Sequence, residues 1–132
     1  MSSTTADYAI TRDIDAPFDA TVERVTAAMA DEGFGILTTI DVQATLKKKL
    51  DLDVEPYVIL GACNPHLASQ GIALEPDLGV LLPCNVVVRR QGGVTHVAAM
   101  DPSSALRLAD NGGLQVLADE ARERIARAMA AR

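Results

Sequence analysis

Apolar positions recur along this chain at two periods, and the two periods predict different elements. Alternation with a period of two is typical of half-buried strands, and a period of 3.6 is typical of amphipathic helices. Five segments are predicted to be strands: Tyr8 to Ile14, Phe34 to Ile40, Tyr57 to Cys63, Val80 to Arg89, and Val94 to Met100. The glycine pair at 92 and 93 predicts a hairpin turn between the last two.

Helical spacing predicts a long helix early in the chain and another at its end. The first opens at Pro17, and Gly33 suits the left-handed position that follows its last turn. Its buried stripe is Phe18, Val22, Val25 and Met29. The last helix follows Gly113 and runs to about Ala130, with a stripe of Leu114, Leu117, Ala121, Ile125 and Ala128. Short helices are expected from Asp41 through Leu50, from Pro65 onward, and over Ser103 to Ala109.

The order of these elements predicts the fold class. We expect an α+β domain of two layers, in which helices cover one face of a mostly antiparallel five-stranded sheet. A length of 132 residues is that of one domain. We expect residues 7–132 to form it and residues 1–6 to be disordered. Pro83 interrupts the fourth strand and cannot donate to a ladder, so an edge strand or a bulge is expected there.

Charge and composition limit the partners. The net charge is −6, and nucleic-acid binding needs clustered cations, so we expect no nucleic-acid partner. The single basic run, Lys47 to Lys49, is interpreted as a solvated helix face. No apolar run reaches the length of a membrane span, and the first residues lack the features of a signal peptide. We therefore expect a cytoplasmic protein with reduced thiols, no membrane partner and no cofactor.

The most specific local feature is a repeated Cys-Asn pair. Cys63-Asn64 ends one apolar run and Cys84-Asn85 interrupts another, and the chain has no other cysteine. Asn64 suits the cap of a helix that starts at Pro65, and free N–H groups at helix starts attract anions. The hypothesis is that a small ligand or anion binds near Cys63, Asn64, Cys84 and Asn85.

Other interpretations of the same residues stay open. Cys63 precedes a helix start, which favours a thiolate, so a thiol-dependent redox protein or enzyme is the alternative, with His66 as a possible base. Cys63, His66, Cys84 and His96 offer four zinc ligands, but only one pair has the short spacing of a zinc site, so no metal is expected. In a further alternative the chain is a structural dimerisation domain without chemistry.

Three stretches together resemble a known family. They are residues 33–42, residues 57–65 and residues 79–88. They are similar to the family called domain of unknown function 302, and the similarity extends from about Tyr8 to Ala130. The resemblance implies a TATA-binding-protein-like β-α-β(4)-α arrangement, often as a homodimer. It implies neither DNA binding nor a reaction.

The distance between the two thiols depends on strand direction. If the third and fourth strands are antiparallel, Cys84 is expected about five residues, or ~16 Å, from Cys63. No disulfide spans that distance. If the strands are parallel, the thiols come close. The family resemblance favours the antiparallel arrangement.

Overall fold

The computed structural model describes residues 7–130, so the prediction that residues 1–6 are disordered lies outside the described part. The strands are β1 Ala9–Ile14, β2 Gly35–Asp41, β3 Tyr57–Cys63, β4 Cys84–Gln91 and β5 Val94–Met100. The α-helices are α1 Phe18–Asp31, α2 Val42–Leu50, α3 Pro65–Leu74, α4 Pro102–Ala105 and α5 Gly112–Ala130. Two 3₁₀ segments cover Pro76–Leu81 and Leu106–Ala109. No described helix is long and apolar enough to cross a membrane.

The five strands form one sheet in the order β1-β5-β4-β3-β2, and every neighbouring pair is antiparallel. The β4–β5 hairpin turns at Gly92 and Gly93, with φ of 55° and 86°. A two-residue turn with positive φ at both positions matches the twist of the strands it joins, and glycine adopts it without strain. The α+β prediction with an antiparallel sheet is therefore confirmed.

The main core lies between one face of the sheet and the helices α1 and α5. Inward side chains alternate along the strands, as in Leu60 of β3 and Val86 of β4, which are 2% and 0% exposed. Met29 of α1 and Ile125 of α5, both fully buried, belong to the same apolar cluster. The alternation confirms the two-layer arrangement, since the strand positions between these buried ones, apart from Gly61, stay at least partly exposed.

The fourth strand begins later than the sequence pattern predicts. Residues 76–81 form a 3₁₀ segment, a cis peptide bond joins Leu82 to Pro83, and β4 starts at Cys84 rather than at Val80. The prediction that Pro83 marks an edge strand or a bulge is wrong, because β4 lies between β5 and β3. Pro83 precedes the ladder, so its missing N–H removes no ladder hydrogen bond.

The end of α1 places a large side chain in the core. Gly33 has a φ of 86°, and its N–H donates to Ala30 O at 3.0 Å. The N–H of Phe34 donates to Met29 O at 2.9 Å, which completes a left-handed C-terminal motif. The predicted role of Gly33 is confirmed, and the turn directs Phe34 inward, where it is 2% exposed.

An irregularity in β2 exposes an apolar side chain at the edge of the sheet. Ile36 pairs with Ala62 and Thr38 with Gly61, so Leu37 is an extra residue between two ladder partners. Such bulges redirect the side chain of the inserted residue. Leu37 is 71% exposed as a result.

Candidate functional site

A cavity of about 420 Å³ opens at the end of the sheet where β3 finishes and β4 begins. Its floor includes Ala62 and Cys84, and its walls come from α3, the segment 78–82, α4 and α5. Small-molecule sites usually measure about 300–1,000 Å³ and are mostly apolar. This cavity has the size and the surface of such a site.

Side chains of aliphatic and small residues make up most of the wall. Leu78, Leu106 and Leu114 are at most 7% exposed and come from three separate segments of the chain. No Asp, Glu, Lys, Arg or His is among the described residues that line the cavity. A ligand inside it would therefore gain from removal of its apolar surface from water.

The two thiols are closer than the antiparallel arrangement was expected to make them. The strands are antiparallel, but Cys84 lies directly opposite Ala62, the residue before Cys63. Ladder geometry then puts the two cysteine Cα atoms roughly 6 Å apart. The predicted separation of ~16 Å is wrong, because it assumed a fourth strand that starts at Val80. Both cysteines line the cavity.

Both cysteines are free thiols. Ala62 and Cys84 face the helices, and Cys63 as the next residue along β3 has the opposite orientation, so the two Cβ vectors diverge. A disulfide needs them to converge. Burial, and secondarily the neighbouring Cys63, raise the pKa of the Cys84 thiol from 9.0 to about 11. Cys84 is therefore a neutral apolar wall residue at physiological pH.

The pKa of Cys84 predicts how stability changes with pH. The folded state favours the protonated thiol, so its contribution is complete below pH 9 and is lost as the pH rises from 9 to about 11. We expect about 2–3 kcal/mol of the free energy of unfolding to be lost through this group. In Cys84→Ser this part of the loss is absent, because serine has no thiol to ionise. Urea unfolding of both proteins at pH 8 to 11 under reducing conditions measures the difference, and parallel pH profiles would contradict the assignment.

Asn64 is held by its role at the start of α3. Its Oδ1 accepts a hydrogen bond from the N–H of Leu67 at 3.1 Å, and its own carbonyl accepts from Ala68 N. This confirms the predicted cap. The residue is 7% exposed and contributes to the cavity wall. Asn64 is buried, and no other residue of the cavity wall has an amide side chain.

The structure does not bring Asn85 to the cavity. Asn85 follows Cys84 on β4 and therefore lies on the opposite face of the sheet, where it is exposed and pairs with Gly61. Three of the four predicted ligand-binding residues, Cys63, Asn64 and Cys84, line one cavity. The fourth belongs to the open face of the sheet.

The two histidines lie apart from the thiols. His66 is exposed on α3 and is not part of the cavity wall, and His96 hydrogen-bonds Asp13 across β5 and β1. Between residues 7 and 130, no three side chains of His, Cys, Asp or Glu are grouped so as to hold a metal ion. The cavity wall likewise offers Cys63 no general base.

The sequence interpretation missed most of the cavity wall. Leu82 lies in the predicted fourth strand and Leu106 in the predicted short helical turn, whereas no strand or helix was predicted at Leu78. Gly71 was not singled out, yet Leu78 Cδ2 and Leu114 Cδ1 lie 2.8 Å and 3.3 Å from the position that a Cβ on it would take. One signal in the sequence could have indicated this wall. The segments around Leu78, Leu82 and Leu106 are rich in leucine, although their pattern does not suit a strand or a long helix.

The fold and the cavity define a class: a small α+β domain with one face of an antiparallel sheet covered by helices and an apolar cavity at the end of the sheet. Residues 10–132 match the family described as domain of unknown function DUF302. The chain belongs to this family.

A solved structure agrees with that assignment. The uncharacterized conserved protein DUF302 from Bacillus stearothermophilus is 29% identical in sequence and superimposes with a TM-score of 0.88. The similarity covers 95% of this chain and 98% of that one. No curated protein matches the chain. The TATA-binding-protein-like arrangement implied by the resemblance stays a prediction.

Proposed function

We propose that this protein binds a small, predominantly apolar molecule in the cavity between β3, β4, α3 and α5. The observation that supports this function is the combination of a 420 Å³ cavity with a wall that contains no ionisable residue other than two cysteines. A free inorganic anion suits the wall less well, since the cap of α3 already occupies the Leu67 N–H and no cation lines the cavity.

Leu37 and Ile72 support entry of an apolar ligand from outside. Both line the cavity although they are 71% and 43% exposed, so they lie at its opening. Exposed apolar side chains around a cavity are typical of a ligand-binding groove. Cys63, which is half-buried, is the thiol nearer to solvent.

A matched pair of alanines on α3 provides the test. Ala68 lines the cavity, whereas Ala73 is exposed on the same helix. Ala68→Phe places a ring in the cavity, so we expect it to abolish the binding of 1-decanol, and Ala73→Phe to leave binding unchanged. Isothermal titration calorimetry measures the affinity, and circular dichroism checks that both variants fold.

Two results would contradict the proposed function. One is that the wild-type protein does not bind 1-decanol at all. The other is that Ala68→Phe and Ala73→Phe bind it with equal affinity, since binding would then take place elsewhere on the surface.

A second candidate function, self-association, is favoured by the open face of the sheet. We propose that this face packs against the same face of a second copy. One row of register neighbours crosses all five strands there: Thr11, Ala98, Val87, Ile59 and Ile40. None of these residues is fully buried within the single chain, and four of the five are apolar. An uncovered apolar sheet face of this kind is typical of an interface.

The rows on either side of Val87 support a two-fold arrangement. Arg89 and Tyr57 form one neighbouring row, and Asn85 and Gly61 form the other. A two-fold axis that lies in the interface across the strands would place Arg89 opposite Asn85 of the second copy, so that a guanidinium donor meets an amide acceptor. Val87 would meet its own copy, as a residue on the axis of an isologous interface does.

A further inference from the structure

We propose that the ligand of the cavity is an amphipathic carboxylate. Its hydrocarbon chain occupies the cavity, and its head group accepts a hydrogen bond from Nδ2 of Asn64 beside the guanidinium of Arg124. This inference rests on the proposed ligand-binding function and adds the chemical class of the ligand.

The first support is the unused donor of Asn64. Its Oδ1 is fixed by the hydrogen bond from Leu67 N, which identifies the other atom of the amide as Nδ2. That nitrogen makes no hydrogen bond with the described residues, although Asn64 is only 7% exposed. The two N–H donors of Asn64 therefore have no acceptor among the described residues.

Nδ2 nevertheless keeps access to open space. Within residues 7–130, no side-chain nitrogen or oxygen is both fully enclosed and without a partner. Asn64 lines the cavity, and its Nδ2 lies on the side of Gly33, at the end of α1. An unmet donor in an apolar wall costs free energy, and a ligand that supplies an acceptor recovers it.

The second support is a cation beside the same amide. Nδ2 of Asn64 lies 2.9 Å, and Nη1 of Arg124 3.7 Å, from the position that a Cβ on Gly33 would occupy. The two donors therefore flank one point at the end of α1. Nε and Nη2 of Arg124 are held by Glu120 at 3.2 Å and 3.0 Å, which fixes the guanidinium. Nη1 makes only a long contact of 3.4 Å to Glu32 O.

These features together favour a carboxylate over a neutral head group. An amide donor and a guanidinium donor suit the two oxygens of one carboxylate, and hydrogen bonds to a charged group are stronger than neutral ones. Asn64 also lies at the start of the ten-residue helix α3, where the helix dipole favours negative charge. Arg124 lies outside the cavity wall, which itself has no cation, so the remainder of the ligand must be apolar.

Decanoate and 1-decanol, titrated below their aggregation concentrations at pH 8, test the proposal. The two share a ten-carbon chain and differ in the head group. We expect wild-type protein to bind decanoate about ten-fold or more tightly than 1-decanol, since that ratio corresponds to a single charge-assisted hydrogen bond.

Asn64→Asp is the decisive variant. Aspartate caps a helix as well as asparagine does, so α3 keeps its start. The substitution replaces the free N–H donors with a carboxylate oxygen, and we expect the preference for decanoate to disappear while 1-decanol still binds. Urea unfolding of Asn64→Asp shows whether the cap is retained.

Arg124 and Arg127 provide a matched pair on α5. Arg124→Gln removes the cation beside Asn64, and we expect it to weaken decanoate binding several-fold without a change for 1-decanol. Arg127, which pairs with Glu32 at 3.0 Å, is the control, because Arg127→Gln leaves the guanidinium of Arg124 in place.

The outcomes separate this inference from the proposed function. If wild-type protein does not bind 1-decanol, the cavity function itself is overturned and the inference with it. If both probes bind equally, or if Asn64→Asp keeps the preference for decanoate, the cavity function stands and the carboxylate head group is overturned.

Discussion

Replacement of Phe34 by alanine is expected to lower the free energy of unfolding by about 3–5 kcal/mol. Phe34 is 2% exposed, belongs to the main core cluster and forms part of the cavity wall. Its backbone is held by the turn after α1, so the neighbouring side chains cannot easily close the space that the ring leaves. A loss of this size is a large part of the stability of a typical domain.

Phe18 is the matched control, because the chain contains only these two phenylalanines. It is partly buried and packs against the periphery of the same core. We expect Phe18→Ala to cost clearly less than Phe34→Ala. Urea unfolding followed by circular dichroism measures both. Equal losses, or a loss below about 1 kcal/mol for Phe34→Ala, would contradict the position given to this ring.

Val87→Glu is expected to weaken self-association by at least about 100-fold. Val87 is at the centre of the row that crosses the open face of the sheet. In the proposed two-fold arrangement the residue meets its own copy, so one substitution introduces two carboxylates at the centre of the interface. An unpaired buried charge typically costs about 3–5 kcal/mol. Analytical ultracentrifugation over a range of concentrations measures the dissociation constant.

Two controls show whether such an effect comes from the interface. Val116 is 70% exposed on α5, away from the open face, and Val116→Glu is expected to leave association unchanged. An equimolar mixture of Val87→Glu and Val87→Lys chains is expected to associate again, because opposite charges then meet at the axis. A wild-type chain that stays monomeric at high concentration, or a mixture that does not associate, would overturn the arrangement.

The proposals assign different regions to ligand binding and to self-association. The cavity lies among the helices at the end of the sheet, whereas the row through Val87 lies on the other face. The adjacent pair Cys84 and Asn85 illustrates the division, since one residue lines the cavity and the next projects from the open face. Variants of Ala68 and of Val87 are therefore expected to change one property each.

The local pattern determined most of the elements. The stripe from Phe18 to Met29 predicted α1, and the glycines at 33 and 92–93 predicted the turns that follow α1 and β4, because these positions need positive φ. Asn64 predicted its own cap, since that interaction involves only residues a few positions apart. Such features depend on neighbours along the chain, so the sequence alone contains the information.

The start of the fourth strand could not be predicted from the local pattern. Val80, Leu81 and Leu82 are apolar and suit a strand by propensity, but the ladder on β3 ends at Ala62 opposite Cys84, and residues 76–81 pack as a 3₁₀ segment. Strand register depends on which residues pair across the sheet. A difference of four residues in the start of β4 changed the expected distance between the thiols from ~16 Å to roughly 6 Å.

The sequence by itself determined the α+β class, the family and the cap that Asn64 provides at the start of α3. Only the tertiary structure decided that Cys84 lies beside Cys63, that Asn85 faces away, and that leucines from three separate segments enclose a cavity. The physical reason is the range of the interactions: caps, turns and periodicity act within a few residues. A cavity exists only where distant segments pack together, and its shape follows from side chains that no local pattern relates to one another.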